Sequence, residues 1–175
     1  MPHTGAYILF DVLKHFSITD IVGYPGGCAL PLYDELHRRK GEIKHYLSTH
    51  EQGAMHIAQG YARSSGKLGV ALTTSGPGAT NTVTGIADAK LDSTPILIIT
   101  TNVASNLIGT DAFQEVDIIS ITKVITKKNY FVNKVSNIQG VLCEAITLAR
   151  QGRHGPVLVD ITKDALCLTC ELLPF

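Results

Sequence analysis

Tryptophan is absent from this sequence, and aromatic residues of all kinds make up only 6% of its 175 positions. No interleaving of aromatic and basic side chains appears, and no basic stripe. Neither sign of charge prevails, since 15 Lys and Arg stand against 15 Asp and Glu. Nucleic acid and anionic membrane surfaces are therefore not expected partners. No apolar run approaches the roughly 20 residues needed to span a bilayer. Met1-Pro2-His3-Thr4-Gly5 lacks the charged segment and apolar core of a targeting leader. The four cysteines, Cys28, Cys143, Cys167 and Cys170, show no disulfide-framework spacing. They read as free thiols in a reducing compartment, the cytoplasm or the interior of an organelle. Cys167-Leu168-Thr169-Cys170 is a solitary C-x-x-C with no second pair or nearby His, so it reads as incidental, and no group of residues has metal-ligand spacing.

What is present is a globular composition, 45% hydrophobic and 17% charged, of a length that buries a real core. So apolar and uncharged a chain is expected to be partly covered by another subunit or domain. Thr4 to Phe16 reads as a helix, with Thr4 as N-cap and Ile8, Leu9, Val12, Leu13 and Phe16 on one face. Ile21–Tyr24 is a short buried strand stopped by Pro25-Gly26-Gly27. A helix over 29–39 and a strand over 44–49 follow. The next helix begins at Glu51, where Ala54, Ile57, Ala58, Tyr61 and Ala62 recur at helical spacing. Ser48 with Glu51, or Thr49 with Gln52, fits the capping-box pattern, so a plain helix cap is the simplest reading of that acid. Further strands fall at 69–73, 95–100, 129–132 and 156–161, and helices pass through 86–91, 116–121 and 138–150. The stretch 101–115 has little periodicity and is expected to lie over the strand ends.

The strands are continuous apolar runs alternating with helices, which is the signature of a parallel sheet covered on both faces. The expected fold is α/β, a doubly wound, mostly parallel sheet of about six strands. One domain is expected over 1–164, with a tail over 165–175. In such folds ligands bind beyond the carboxyl ends of the strands. Three unusual loops belong there: Pro25-Gly26-Gly27-Cys28, His50-Glu51-Gln52-Gly53 and Ser75-Gly76-Pro77-Gly78. A fourth contributor is Ile108 to Glu115. The Gly-Pro-Gly loop follows a strand and opens a helix, so its amides could hold an anion. It lacks the Lys-Ser/Thr of a P-loop, and Asn81 stands where a dinucleotide fingerprint needs its last glycine. A tight strand-to-helix turn explains it equally well. His50 and His56 read as partly buried histidines with satisfied hydrogen bonds.

Taken in order, Pro25-Gly26-Gly27, His50-Glu51-Gln52-Gly53-Ala54, Gly60-Tyr61-Ala62-Arg63, Thr74-Ser75-Gly76-Pro77-Gly78-Ala79-Thr80-Asn81, Ile108-Gly109-Thr110-Asp111-Ala112-Phe113-Gln114-Glu115, Lys128-Asn129-Tyr130, Gly155 to Asp160 and Lys163-Asp164 carry a resemblance. The sequence resembles the N-terminal, pyrimidine-binding domain of the thiamine diphosphate enzymes. Within them it is most similar to the acetolactate (acetohydroxyacid) synthase large-subunit branch, for which Gly-Thr-Asp-Ala-Phe-Gln-Glu is the more discriminating motif. The resemblance implies thiamine diphosphate as cofactor, decarboxylation of pyruvate, and joining of its remaining two carbons to a second 2-oxo acid, in branched-chain amino acid biosynthesis. By it, Glu51 matches the glutamate that hydrogen-bonds N1′ of the cofactor's aminopyrimidine. A carboxyl group can share a proton with that nitrogen, which an amide cannot do. Gly27 matches a glycine whose backbone approaches the reacting centre, and Gln114 is placed with it as catalytic. Pro25, Gly26, Gly76 and Asn81 are placed on the cofactor side. Phe113, Ala104 and Lys163 are placed at the substrate pocket, with Lys163 near its entrance. Cys28 stands where the family commonly has alanine, Thr101-Asn102-Val103-Ala104 where Gly-Gln-Val-Pro is usual, and Thr162 where a proline precedes the lysine.

The resemblance also implies a missing half. The family holds the diphosphate and Mg2+ on another domain through a Gly-Asp-Gly motif, which this sequence lacks, and FAD on a middle domain. The isolated chain is thus expected to be incomplete. It is expected to need a diphosphate-binding domain or subunit and to form at least a homodimer. The reading as part of an acetolactate synthase stands beside two others, a subunit of a split thiamine diphosphate-dependent 2-oxo acid decarboxylase and a non-catalytic binding module.

Overall fold

A computed structural model describes residues 1–175. Its main sheet has six parallel strands: β2 (Asp20–Gly23), β3 (Lys44–Leu47), β4 (Gly69–Thr73), β5 (Ile96–Asn102), β6 (Lys128–Val132) and β7 (Pro156–Thr162), in spatial order β3-β2-β4-β5-β7-β6. A separate antiparallel pair joins β1 (Pro2–Thr4) to β8 (Thr169–Glu171), with Pro2 opposite Glu171 and Thr4 opposite Thr169. The helices are α1 (Gly5–His15), α2 (Leu30–Arg38), α3 (Glu51–Ser65), α4 (Pro77–Thr80), α5 (Val83–Leu91), α6 (Ile118–Thr122), α7 (Ile138–Arg150) and α8 (Lys163–Cys167).

Alternate residues of the central strands feed two separate cores. Val70, Leu72, Leu97, Ile99, Val157, Val159 and Ile161 face α1 and α7. Ala71, Ile96, Ile98 and Leu158 face α3, α5 and α6. Burial on both faces explains why β4, β5 and β7 read as unbroken apolar runs rather than alternating ones. Small residues bring α3 down onto the second face: a side chain at Gly69 would strike the Ala58 carbonyl, and one at Gly85 would strike Met55. The expected α/β, doubly wound sheet with helices on both faces is the fold observed.

Thr4 caps α1 as expected, its hydroxyl accepting from the Tyr7 amide at 3.2 Å. Residues 165–175, expected as a tail, take part in the fold. Ala165 and Leu166 are fully buried in the first core, and Thr169–Glu171 forms the strand that pairs with the N-terminus. A three-residue strand has too short a pattern to be legible by periodicity.

Connections run outward in opposite directions from β2 and β4. The chain leaves β2 for the edge strand β3, then crosses back to β4 and proceeds to β5. The order of strands therefore reverses between β2 and β4, and their carboxyl ends open a crevice there. Into it run the loops after β2, β3 and β4. No helix is long and apolar enough to cross a membrane.

Candidate functional site

Glu51 is the first residue of α3 and is only 7% exposed. The helix cap does not use it. His50, with extended backbone, caps the helix by accepting the Gln52 amide on Nδ1 at 3.1 Å. Ser48 turns to the His50 carbonyl instead, at 2.7 Å. Neither capping box is formed, because the imidazole occupies the capping position and leaves the Glu51 carboxylate to point across the crevice. His50 and His56 are both exposed rather than partly buried, and His56 lies 3.8 Å from Asp88.

Across the crevice, Asn81 Nδ2 donates to Glu51 Oε2 at 2.9 Å, the one hydrogen bond this carboxylate receives within the chain. Oε1 faces Gly78, where a Cβ would come within 3.3 Å of it and within 2.6 Å of the Thr74 methyl. Thr74 is wedged between two glycines, since a Cβ on Gly26 would also overlap it. Its hydroxyl is buried without a hydrogen-bond partner. Gly27 has nothing within 4 Å of where a side chain would stand. Pro25 and Gly27 are exposed in the same loop. Tyr33 lies beneath this group, its hydroxyl 3.2 Å from His45 Nε2. Burial, and then the charge of Glu51, push the Tyr33 phenol well above its ordinary pKa.

The Gly-Pro-Gly loop is a turn bonded to itself. Gly76 has φ +57, and the amides of Gly78, Thr80 and Asn81 donate to the carbonyls of Ser75, Gly76 and Pro77. Those three amides are engaged within the turn, which places Asn81. Gly76 also admits the backbone of Gln114, whose Cα lies 2.8 Å from where a Cβ would be. This contact ties the segment 108–115 to the crevice. The segment itself is closed by Glu115, whose carboxylate accepts from the amides of Gly109, Thr110 and Ala112. Those amides hold the Glu115 carboxyl below its usual pKa, the Gly109 contact first. Asp111 and Gln114 take positive φ, 55° and 61°.

The sequence-predicted residues thus fall into two groups. Glu51, Gly26, Gly76 and Asn81 meet around Thr74 and Gly78, with Gln114 joined through Gly76. Phe113, Ala104 and Lys163 are not brought to Glu51 by contacts within the chain. Phe113 is 87% exposed at the tip of its loop, and Lys163 is exposed at the carboxyl end of β7. Ala104 and Lys163 approach each other, because the Asp164 carboxylate accepts from the Ser105 amide at 3.0 Å and from its hydroxyl. Thr74 was not singled out from the sequence. Nothing in the local sequence signals it, because one of the two glycines that sandwich it, Gly26, comes from a distant loop.

Behind the crevice Asp160 is 1% exposed and accepts from Thr100 Oγ1 and Asn102 Nδ2, each at 2.7 Å. Burial pushes its pKa up to about 6. Asn102 also donates to the Val116 carbonyl and caps Val103, so this acid braces both ends of the segment that carries Phe113 and Gln114.

The donor set suits an aminopyrimidine ring. A buried carboxylate with one free oxygen can share a proton with a ring nitrogen, an orphan hydroxyl awaits a partner, and bare glycine backbone admits a flat ring. No grouping of His, Cys, Asp and Glu could hold a metal ion within this chain.

Residues 3–121 match the family described as thiamine pyrophosphate enzyme, N-terminal TPP binding domain. An acetolactate synthase of Arthrospira platensis is 57% identical over 173 residues, 98% of this chain and 30% of its own length. The acetolactate synthase large subunit of Lactococcus lactis subsp. lactis (strain IL1403) is 53% identical over 95% of this chain and 29% of its own. Acetolactate synthase 2, chloroplastic, of Nicotiana tabacum is 49% identical over 93% of this chain and 24% of its own. The chain spans less than a third of the length of these relatives. With its crevice, its buried acid and its matched sequence, the chain belongs to the family of N-terminal, thiamine pyrophosphate-binding domains of the thiamine pyrophosphate enzymes.

Proposed function

We propose that the chain is the pyrimidine-binding part of an acetolactate synthase, which decarboxylates pyruvate and joins the two-carbon product to a second 2-oxo acid in branched-chain amino acid biosynthesis. The observation that carries this is the state of Glu51. It is buried, free of its own helix's amides and half-satisfied by Asn81. Burying a carboxylate with so few partners is unfavourable, and a ligand that hydrogen-bonds its free oxygen would complete the set. Thiamine diphosphate, when bound, supplies a carbon nucleophile and an electron sink for the 2-oxo acid. Glu51 holds a proton toward the ring nitrogen, Asn81 fixes the carboxylate's rotamer, and Gly26, Gly27 and Gly78 keep the ring's approach open. Lys163, at the rim, attracts the acidic substrate. In this reading Mg2+, the diphosphate and, where the whole enzyme uses it, FAD are held by other domains. The exposed Phe113 is explained if a second copy or another domain covers it, and a homodimer is the expected assembly. The cytoplasm or an organelle is the expected location.

Titration calorimetry separates the readings. Thiamine diphosphate with Mg2+ should bind the chain weakly or not at all alone. Adding a polypeptide with the Gly-Asp-Gly-bearing domain should restore both binding and pyruvate decarboxylation, and Glu51→Gln should abolish the activity without loss of fold. Activity that survives Glu51→Gln sinks the role given to the carboxylate. Cofactor binding that returns without turnover would leave a binding module.

A further inference from the structure

A cavity of about 470 Å3 lies at the opposite end of the sheet from the crevice. The strand starts preceding β2, β4 and β5 meet the ends of α1, α3 and α7 there. Phe16, Ile18, Tyr61 and Leu68 give it an apolar floor. Its rim carries Lys67, Arg150 and His154, and no acidic side chain lines it. None of these three enters an ion pair.

Other cations near this end behave differently. Arg63 bonds Asp92 and Thr94. Arg153 donates to Ser93 Oγ at 2.8 Å, and Lys127 donates to the Leu148 and Gln151 carbonyls at 2.5 and 2.7 Å. Cations commonly gather at helix carboxyl ends to offset the dipole. Here several of the terminal carbonyls are already answered. Ser17, at φ 57°, closes α1 through its own amide and that of Ile18. Gly66, at φ 70°, closes α3 through the Ala62 carbonyl. Lys127 serves α7. The acid whose charge reaches Lys67 is Asp20, which already accepts from Thr19 and Tyr46. Two cations outside any ion pair, Lys67 and Arg150, together with the His154 imidazole, therefore surround a cavity large enough for a small ligand.

We propose that this cavity binds a small organic anion, a carboxylate or phosphate group carried on an apolar body. The charged head meets Lys67, Arg150 and His154, and the body packs on Phe16, Ile18 and Leu68.

The test is a titration of the 15N-labelled 175-residue chain, followed through its amide spectrum, with phenylphosphate, benzoate and the neutral benzyl alcohol. At least one of the anions should shift the amides of Gly66, Leu68 and residues 150–155 saturably, and benzyl alcohol should bind at least about tenfold more weakly. A response to one anion and not the other supports the proposal and identifies the head group. The double substitution K67Q/R150Q changes two exposed side chains, and its spectrum away from the cavity reports that the fold is kept. It should weaken anion binding at least about tenfold. The proposal is overturned by no saturable shift up to about 10 mM anion, by equal binding of benzyl alcohol, or by undiminished affinity in the double variant.

Discussion

Asp160→Asn gives the sharpest check on the electrostatics that brace the site. The side chain is 1% exposed, with Thr100 and Asn102 donating to its two oxygens, and its pKa is raised from 3.8 to about 6. Burial is the main cause. Between those two values the folded chain holds a proton that the unfolded chain has released. This acid therefore contributes stability that is full below pH 3.8 and is lost as pH rises through about 6. About two pKa units correspond to roughly 3 kcal/mol. An amide cannot ionise, so Asp160→Asn removes that slope. It also replaces one acceptor oxygen with an NH2 that must face Asn102 or the Thr100 hydroxyl, which costs up to about 1–3 kcal/mol at every pH. Urea melts of both proteins from pH 4 to 7.5 should show the variant as the less stable at pH 4, with the difference shrinking or reversing by pH 7. Comparing the two proteins at each pH cancels most of the titration of the other acids. A stability difference that stays constant across this range would refute the reasoning.

Gly78→Ala sets a Cβ against the Thr74 methyl and near Glu51 Oε1, and should cost about 1–3 kcal/mol in urea melts through overpacking. Thr74→Val removes a hydroxyl buried without a partner, so the free chain should be unchanged or up to about 1 kcal/mol more stable. In the complemented enzyme the same change should weaken cofactor binding, measured by calorimetry. Glu115→Ala releases the amides of Gly109, Thr110 and Ala112, which should then exchange hydrogen faster while the sheet amides do not. Because the Glu115 pKa is lowered from 4.5, its hold on this loop is present above that value and is lost as pH falls through the lowered one.

Much of this protein was legible from side-chain order alone. Continuous apolar strands such as Ile96–Ile99 can be buried on both faces only in a parallel sheet, and the intervening helical spacing supplies the covering layers. That reasoning also places the loops after the strands at one edge. The motifs then single out Glu51, Gly26, Gly76, Asn81 and Gln114. What the sequence could not decide is which polar groups find one another. His50 rather than Ser48 or Thr49 caps α3, since a cap depends on where each side chain lands after the turn is made. Asn81 reaches Glu51 because a self-bonded turn aims it across a crevice opened by a reversal of strand order. Thr74 lies unpartnered between Gly78 of its own loop and Gly26 of a loop far away in the chain. Local patterns fix local geometry and burial; contacts between distant loops depend on how the whole sheet is wound, and only the tertiary structure decides those.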